Sequence, residues 1–224
     1  MALVKAPLSW DVRDWEKAAA VGIVFGGLLA SDRTIDTEIR RYRSPATDQL
    51  SRATTPFGAT YAVGISVALL AGGFVANEAG VRDTGRDAIE ASLLSALLTN
   101  LVLKPVAGRE RPFVSNGRTD FDAFSSNASF PSGHATEAFA VAAVVSRHAE
   151  GWVVPTLSYT LASLVAFDRM NDHVHFASDV FFGAVIGMGI GRFVTRRHES
   201  SEVAVVRWDV VPIAGGIGLR LSFR

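Results

Sequence analysis

The 224-residue chain contains 22 basic and 22 acidic residues, so its formal net charge is zero. Hydrophobic residues make up 49% of the chain and charged residues 20%, which excludes intrinsic disorder, and the lack of a basic excess argues against a nucleic-acid-binding protein. The chain has no cysteine, which excludes a disulfide scaffold, a thiolate zinc site and a cysteine nucleophile.

Six helices are predicted along the chain, over about 13–31, 56–77, 82–103, 133–149, 151–167 and 177–196. Each contains an uncharged apolar run, but only the run at 53–77 clearly exceeds the roughly 20 residues that span a bilayer. In the sixth helix, Gly183, Gly187 and Gly191 recur at a spacing of four, which allows close helix packing as in membrane bundles. We therefore predict an all-α fold, a transmembrane six-helix bundle, with a tightly packed soluble bundle as the alternative.

Three segments of the chain do not fit this helical pattern. Residues 32–55 are polar and rich in arginine and are predicted as a loop with room for a short surface helix. Residues 104–133 form a long connection with little periodicity, and such connections usually carry function. Residues 203–223 are rich in valine and isoleucine and partly alternating, which predicts a β-hairpin that packs against the bundle or a partner. The chain is thus divided into a helical domain, 1–200, and a β-like tail, 201–224.

The polar residues that can carry chemistry lie in three short stretches, each at a predicted helix end: Lys104–Pro112, Phe130–His134 and Arg169–Asp179. Lys104, Arg111 and Arg169 supply three cations. Ser132 and Gly133 begin the fourth helix, where free backbone N–H groups and the helix dipole favour an anion. This set of donors suits a tetrahedral oxyanion with several negatively charged oxygens.

Two histidines complete the set. His175 and Asp179 are four residues apart and therefore share a face of a helix. A carboxylate bonded to one ring nitrogen leaves the other nitrogen nucleophilic, while His134 is free to act as an acid on a leaving group. Taken singly, each residue has an ordinary structural explanation, such as an N-cap turn, a capping pair or a solvated cation. The combination is what points to catalysis.

The motifs Lys104-x6-Arg111-Pro112, Pro131-Ser132-Gly133-His134 and Arg169-x5-His175-x3-Asp179 resemble those of the type 2 phosphatidic acid phosphatase (PAP2) superfamily. This superfamily includes bacterial lipid phosphatases, soluble acid phosphatases and vanadium haloperoxidases. The resemblance extends to the helix plan over roughly 13–196. One departure is Asp168, because the family usually has serine before the third-motif arginine. That serine is not a catalytic group in the family, so the departure does not put the activity in doubt.

The resemblance implies a role for each matching residue. His175 would attack phosphorus and form a phosphohistidine, Asp179 would orient His175, and His134 would protonate the leaving oxygen and later activate water. The phosphoryl oxygens would be held by Lys104, Arg111, Ser132, Gly133 and Arg169. No metal and no cofactor are implied, because the cations stabilise the charge. Vanadate is expected to inhibit.

The expected function is a metal-independent phosphatase that hydrolyses a lipid phosphate or diphosphate monoester. The expected location is the bacterial inner membrane, with several spans and the active site facing the periplasm or outside. The alternatives are a vanadium-dependent haloperoxidase, a soluble acid phosphatase of broad specificity and a non-catalytic lipid-binding relative. Partners are the membrane and the lipid substrate, with no nucleic acid; the individual lipid and the oligomeric state stay open.

Two acidic residues are unusual for a membrane bundle. Glu90 and Glu137 lie near the ends of apolar runs, and an ionised group in lipid is costly unless it faces protein or water. We therefore expect both side chains to point into the bundle or towards the motif cations.

Overall fold

The computed structural model describes residues 10–114, 120–202, 206–213 and 216–223, the part beyond residue 199 as backbone only. The α-helices of this part are α1 (Val12–Arg41), α2 (Pro45–Thr54), α3 (Thr60–Val75), α4 (Ala79–Leu97), α5 (Lys104–Ala107), α6 (Gly133–His148), α7 (Val153–Asn171) and α8 (Ala177–Glu202). A 3-10 turn, Thr55–Gly58, joins α2 to α3, and a π-helical segment, Leu98–Leu103, joins α4 to α5. The helical class of the fold is confirmed.

Several helices are long and apolar enough to cross a membrane. Within the described ranges these are Val12–Arg41, Ala79–Ala107 and Ala177–Glu199, and the pair Pro45–Gly58 and Thr60–Val75, bent by 49°, adds a fourth if it acts as one span. Large apolar side chains on these helices lie on the outside of the bundle; Val75 and Ile23 are 90% and 76% exposed. Such surfaces suit lipid rather than water. The protein is a membrane protein.

The prediction of a loop at 32–55 is wrong for most of that segment. Helix α1 continues ten residues past the predicted end at residue 31, and α2 is a second helix with Ser44 as its N-cap. The reason is burial of polar groups: Asp32 and Asp36, one turn apart on α1, are both buried and accept hydrogen bonds from residues of the 172–178 region. Asp32 and Asp36 therefore face protein, whereas Arg40, Arg41, Arg43 and Arg52 are exposed.

Helices α6 and α8 pack with little space between their backbones. A Cβ atom on Gly183, Gly187 or Gly191 would lie 2.7, 2.2 or 2.5 Å from a backbone oxygen of the facing segment, at Ser132, Thr136 or Ala140. No real side chain fits at such distances. The glycine repeat of the sixth predicted helix therefore permits the close approach that its spacing indicates.

A polar cluster lies at the end of α6 opposite His134. The buried carboxylate of Asp87 on α4 is 2.6 Å from Nδ1 of His198 and 2.9 Å from Nε2 of His148. Glu90 joins this cluster, 3.1 Å from Nε2 of His198 and 3.5 Å from Arg197. Glu90 thus faces protein partners on α8, as expected for an ionisable group in an apolar helix.

The tail contains two antiparallel strands, β1 (Val206–Ile213) and β2 (Gly216–Phe223). Val206 pairs with Phe223 at one end and Ile213 with Gly216 at the other. The connection at 214–215 and the expected packing of the tail on the bundle or on a partner lie outside the described residues.

The long connection from α5 to α6 is tied back to the helices where the structure describes it. Gly108 ends α5 with a φ of +55°, and a Cβ atom there would lie 1.7 Å from the carbonyl oxygen of Asp122, so only glycine fits. Arg109 forms an isolated β-bridge with Phe121. As a result, the motif residues after Lys104 turn back over the end of the bundle from which α6 and α8 begin.

Candidate active site

His175 lies in the short connection between α7 and α8, and its side chain is almost fully buried. Its Nδ1 atom is 3.7 Å from Oδ2 of Asp179, one helical turn further on; the pair is in ionic range but longer than a hydrogen bond. Burial lowers the pKa of the His175 imidazole below its ordinary value, against the opposing effect of Asp179. The ring is therefore kept neutral at neutral pH, the state that a nucleophile requires.

Asp179 is held by several groups at once. Its Oδ1 atom accepts a 2.6 Å hydrogen bond from Nη1 of Arg109, and its Oδ2 atom accepts from the Ser129 hydroxyl at 2.6 Å and from the Phe176 N–H at 2.8 Å. Its backbone carbonyl accepts from the Ser132 N–H at 3.1 Å, which links the starts of α6 and α8. These hydrogen bonds hold the Asp179 carboxylate in place even when no substrate is bound.

His134 occupies the first turn of α6, after Ser132, whose side chain caps the helix. One side of His134 packs on the 3-10 turn, since a Cβ atom on Gly58 would lie 2.8 Å from the His134 Cβ and Cδ2 atoms. The ring is within electrostatic range of His175 and of the three motif cations: Arg169, Lys104 and Arg111. The structure therefore brings both motif histidines and all three cations to one end of the bundle.

Arg169 is the most firmly held of the three cations. Its Nη2 atom donates to the Thr55 hydroxyl at 2.6 Å and to Asp172 at 3.1 Å, and its Nε atom donates to Asp168. Asp168 also accepts from the Thr54 hydroxyl at 3.2 Å. Asp168, at the position where the family usually has serine, thus pairs with Arg169 and fixes the orientation of its guanidinium group.

Lys104 and Arg111 are held less firmly. Among the described residues neither side chain makes a hydrogen bond or an ion pair, although Glu137, one turn after His134, is within electrostatic range of Lys104. A Cβ atom on Gly133 would lie 3.7 Å from Nζ of Lys104, so the ammonium group faces the start of α6. We call Lys104, Arg111, Ser132, Gly133 and Arg169 the phosphate cradle, because three cations and the N-terminus of α6 meet there.

Within the described ranges, no cluster of three or more His, Asp or Glu residues has the arrangement of a metal site. His173, which flanks the nucleophile position, does not compete with His175: its Nδ1 atom is 2.6 Å from Asp36 on α1, and its backbone adopts a φ of +60°.

Two residues of the site, Arg109 and Asp32, were missed by the sequence analysis. Arg109 lies in the long connection predicted at 104–133, and Asp32 lies at the start of the loop predicted at 32–55. Arg109 is only 1% exposed and joins Asp179 to Asp32 across the bundle. The one signal in the sequence was the position of Arg109, two residues before Arg111 within the first motif.

Comparisons with known proteins agree with this geometry. The family model of the PAP2 superfamily matches residues 88–201, a range that contains every cradle residue, both motif histidines and Asp179. The comparison with curated proteins returns no match.

Two crystal structures are similar in fold. LpxE of Aquifex aeolicus is 24% identical, with a TM-score of 0.56 over 74% of this chain and 94% of that one. A transmembrane PAP2-type phosphatidylglycerolphosphate phosphatase from Bacillus subtilis is 22% identical, with a TM-score of 0.64 over 81% of this chain and 96% of that one. Because the family model covers about half of the chain and all of its motifs, the chain belongs to the PAP2 superfamily and is a phosphatase of that type.

Proposed function

We propose that this protein hydrolyses the phosphate or diphosphate group of a membrane lipid through a phosphohistidine at His175. The observation that carries the proposal is the convergence of a buried His175–Asp179 pair, His134 and three cations at one end of a bundle of membrane-spanning helices. One of the two similar structures is that of a phosphatidylglycerolphosphate phosphatase, which supports a lipid substrate.

In the first step the cradle holds the phosphoryl oxygens. Because Nδ1 of His175 faces Asp179, Nε2 is the nitrogen that attacks phosphorus. A P–N bond forms and the bond from phosphorus to the leaving oxygen breaks. Before substrate binds, burial and the motif cations lower the pKa of His134 to about 4. The proton that His134 donates to the leaving oxygen therefore enters the site with the substrate's phosphate group. Asp179 stabilises the positive charge that develops on the His175 ring, and the cations stabilise the charge on the oxygens in transit.

The second step regenerates the enzyme. His134, now neutral, takes a proton from a water molecule, and the water oxygen attacks phosphorus. The P–N bond breaks, inorganic phosphate leaves the cradle, and His175 and His134 return to their starting states. Each step makes and breaks one bond to phosphorus and moves one proton, so that neither requires a redox partner.

The position of the cradle supports a lipid as the substrate. The cradle residues lie at helix ends, where they stay near water, while the apolar outer faces of the spanning helices continue into the bilayer. A lipid headgroup can therefore reach the cradle while its hydrocarbon chain stays in the membrane. We further propose that the protein spans the bacterial inner membrane with this end facing the periplasm or outside, and that residues 1–200 form the catalytic domain.

The test is phosphate release by the detergent-purified protein from phosphatidic acid, phosphatidylglycerol phosphate, undecaprenyl diphosphate and a lipid A phosphate. We expect hydrolysis of at least one, loss of turnover in His175→Ala, and an acid-labile phosphoenzyme trapped from the wild type by acid quench. The matched control is His148→Ala, which removes a histidine at the other end of α6. Full turnover in purified His175→Ala would contradict the proposal, as would bromide oxidation with vanadate and peroxide in place of phosphate release.

A further inference from the structure

A chain of buried charges connects α1 to the nucleophile. Arg109 donates through Nη1 to Asp179 at 2.6 Å and to the Ser178 hydroxyl at 2.7 Å, and through Nη2 to Asp32 at 2.7 Å. Asp32 also accepts from the Ser178 N–H at 2.9 Å and from the Ser178 hydroxyl. The guanidinium therefore bridges two carboxylates with its two arms, a geometry that lysine cannot reproduce.

The surroundings of Arg109 exclude water. The guanidinium carbon lies 4.3 Å from the ring centre of Phe176 and 5.0 Å from that of Phe121, and the side chains of Arg109, Asp32 and Asp179 are 1%, 0% and 0% exposed. Charges in such a setting interact more strongly than at a surface, and each has a strict orientation. Phe176, which covers one face of Arg109, is the residue directly after the nucleophile.

We infer that Asp32 and Arg109 are positioning residues for His175, an inference that rests on the proposed function. Arg109 keeps the Asp179 carboxylate charged and turned towards the imidazole. Asp32 balances the charge of Arg109 and holds the start of α8 through Ser178. Asp32 lies on α1, outside the range 88–201 that the family model matches, so the first helix contributes to catalysis through a residue outside the matched range.

The moment at which charge develops on His175 predicts which kinetic constant changes. Positive charge develops on the His175 ring only as its Nε2 atom attacks phosphorus, so support from Asp179 is worth more in the transition state than in the bound ground state. Asp32 and Arg109 lie behind Asp179, away from the cradle. Loss of either interaction therefore lowers kcat and leaves KM nearly unchanged.

The experiment uses two variants of the full-length enzyme in detergent, with the best substrate of the lipid panel. Asp32→Asn keeps the shape and an acceptor for the Ser178 N–H but removes the charge; Arg109→Lys keeps the charge but removes the two-armed bridge. We expect kcat and the rate of phosphoenzyme formation to fall by about 10- to 100-fold in each variant. Losses of this size are typical when a residue that orients a metal-binding side chain is removed, and we expect a similar loss for residues that orient a catalytic side chain. We expect KM to stay within about twofold, and the double variant to lose about as much as the worse single variant, because both act through Asp179.

The matched control is Asp87→Asn, which changes an equally buried carboxylate. Its partner His148 lies roughly 20 Å from His134 along α6, at 1.5 Å per residue. It should lower thermal stability and leave kcat unchanged. Wild-type kcat in folded Asp32→Asn and Arg109→Lys overturns the inference, and so does an equal loss of kcat in Asp87→Asn. If Asp32→Asn does not fold, the result for Arg109→Lys decides. A wild type that forms no phosphoenzyme overturns the proposed function itself, whereas an active wild type with fully active variants overturns only the positioning role.

Discussion

His175 differs from the other histidines of the described chain in combining deep burial with a carboxylate one turn away on the following helix. His148 and His198 are 22% exposed and bind Asp87, and His173 is 18% exposed and binds Asp36. Each of those three rings has a carboxylate oxygen within 2.9 Å. Nδ1 of His175 lies 3.7 Å from Asp179, within ionic range, so the carboxylate can support the ring when positive charge develops on it.

The first prediction concerns pH and follows from the lowered pKa of His175. The nucleophile must be neutral, so protonation of His175 removes activity as pH falls, and burial moves that protonation below the ordinary imidazole value. We expect the acidic limb of kcat/KM to lie below about pH 6.5. The control is a comparison of a phosphate and a diphosphate lipid, because a limb caused by the substrate's own ionisation moves with the substrate. An acidic limb at or above pH 6.5 with both lipids would count against a buried neutral nucleophile.

Short sequence motifs allowed the reacting residues to be predicted, but not the residues that position them. His175, Asp179 and the cradle residues are recognisable because their spacing within short motifs resembles a known family. The partners Asp32 and Arg109 are 77 positions apart in the sequence, and Asp32 is 146 positions from Ser178. Nothing local in the sequence specifies such pairs; only the folded bundle brings them together.

At the scale of helices, the apolar runs predicted the positions of the long apolar helices. The polar composition of residues 32–55, in contrast, led to the wrong prediction of a loop. Polar residues indicate a loop only when they face water. In α1 the last turns face the active site, so that Asp32 and Asp36 are polar because they bind protein groups. The capping box of Ser44 and Thr47, which starts α2, was a local signal for the helix that follows.

The packing of α6 on α8 gives the second prediction. Gly187→Val would place a side chain where even a Cβ atom lies 2.2 Å from the Thr136 carbonyl oxygen, so the two helices must separate. Because α6 carries His134 and α8 carries Asp179, we expect both lower thermal stability, by about 1–3 kcal/mol or more, and loss of turnover. The measurements are thermal unfolding in detergent and phosphate release.

Gly189→Val is the matched control, since a Cβ atom on Gly189 of the same helix would have no atom of a neighbouring element within 4 Å. Equal losses in the two variants would show that the effect does not come from the contact between α6 and α8.

The tail gives the third prediction. Strands β1 and β2 pair with each other after the end of α8, and no motif residue lies beyond Asp179. We expect a protein truncated after Glu199 to keep measurable hydrolysis per folded molecule, compared with the full chain at equal folded concentration. Glu199 is retained because it pairs with Arg147 at the end of α6. A folded but inactive truncation would mean that the tail completes the active site.

For the whole molecule, the arrangement of charge and apolar surface supports a site near the boundary between water and lipid. The spanning helices place apolar side chains outwards, and the buried charges are paired within the bundle: Asp32 with Arg109 near the cradle, and Asp87 with His148 and His198 at the other end of α6. Paired and buried charges are what a membrane interior tolerates. A soluble bundle would instead present charged residues along the faces of α3 and α8.

The last prediction tests this arrangement in the cell. After lysis and ultracentrifugation we expect the protein in the membrane pellet, resistant to extraction by high salt and by alkaline carbonate and released only by detergent. Salt and carbonate remove proteins held by charge, whereas helices with apolar surfaces as exposed as those of α1 and α3 stay in lipid. The comparison is a peripheral membrane protein of the same cells, which the salt wash should release. Recovery of the protein in the supernatant without detergent, in monodisperse form, would contradict a membrane-spanning bundle and favour a soluble phosphatase with the same active site.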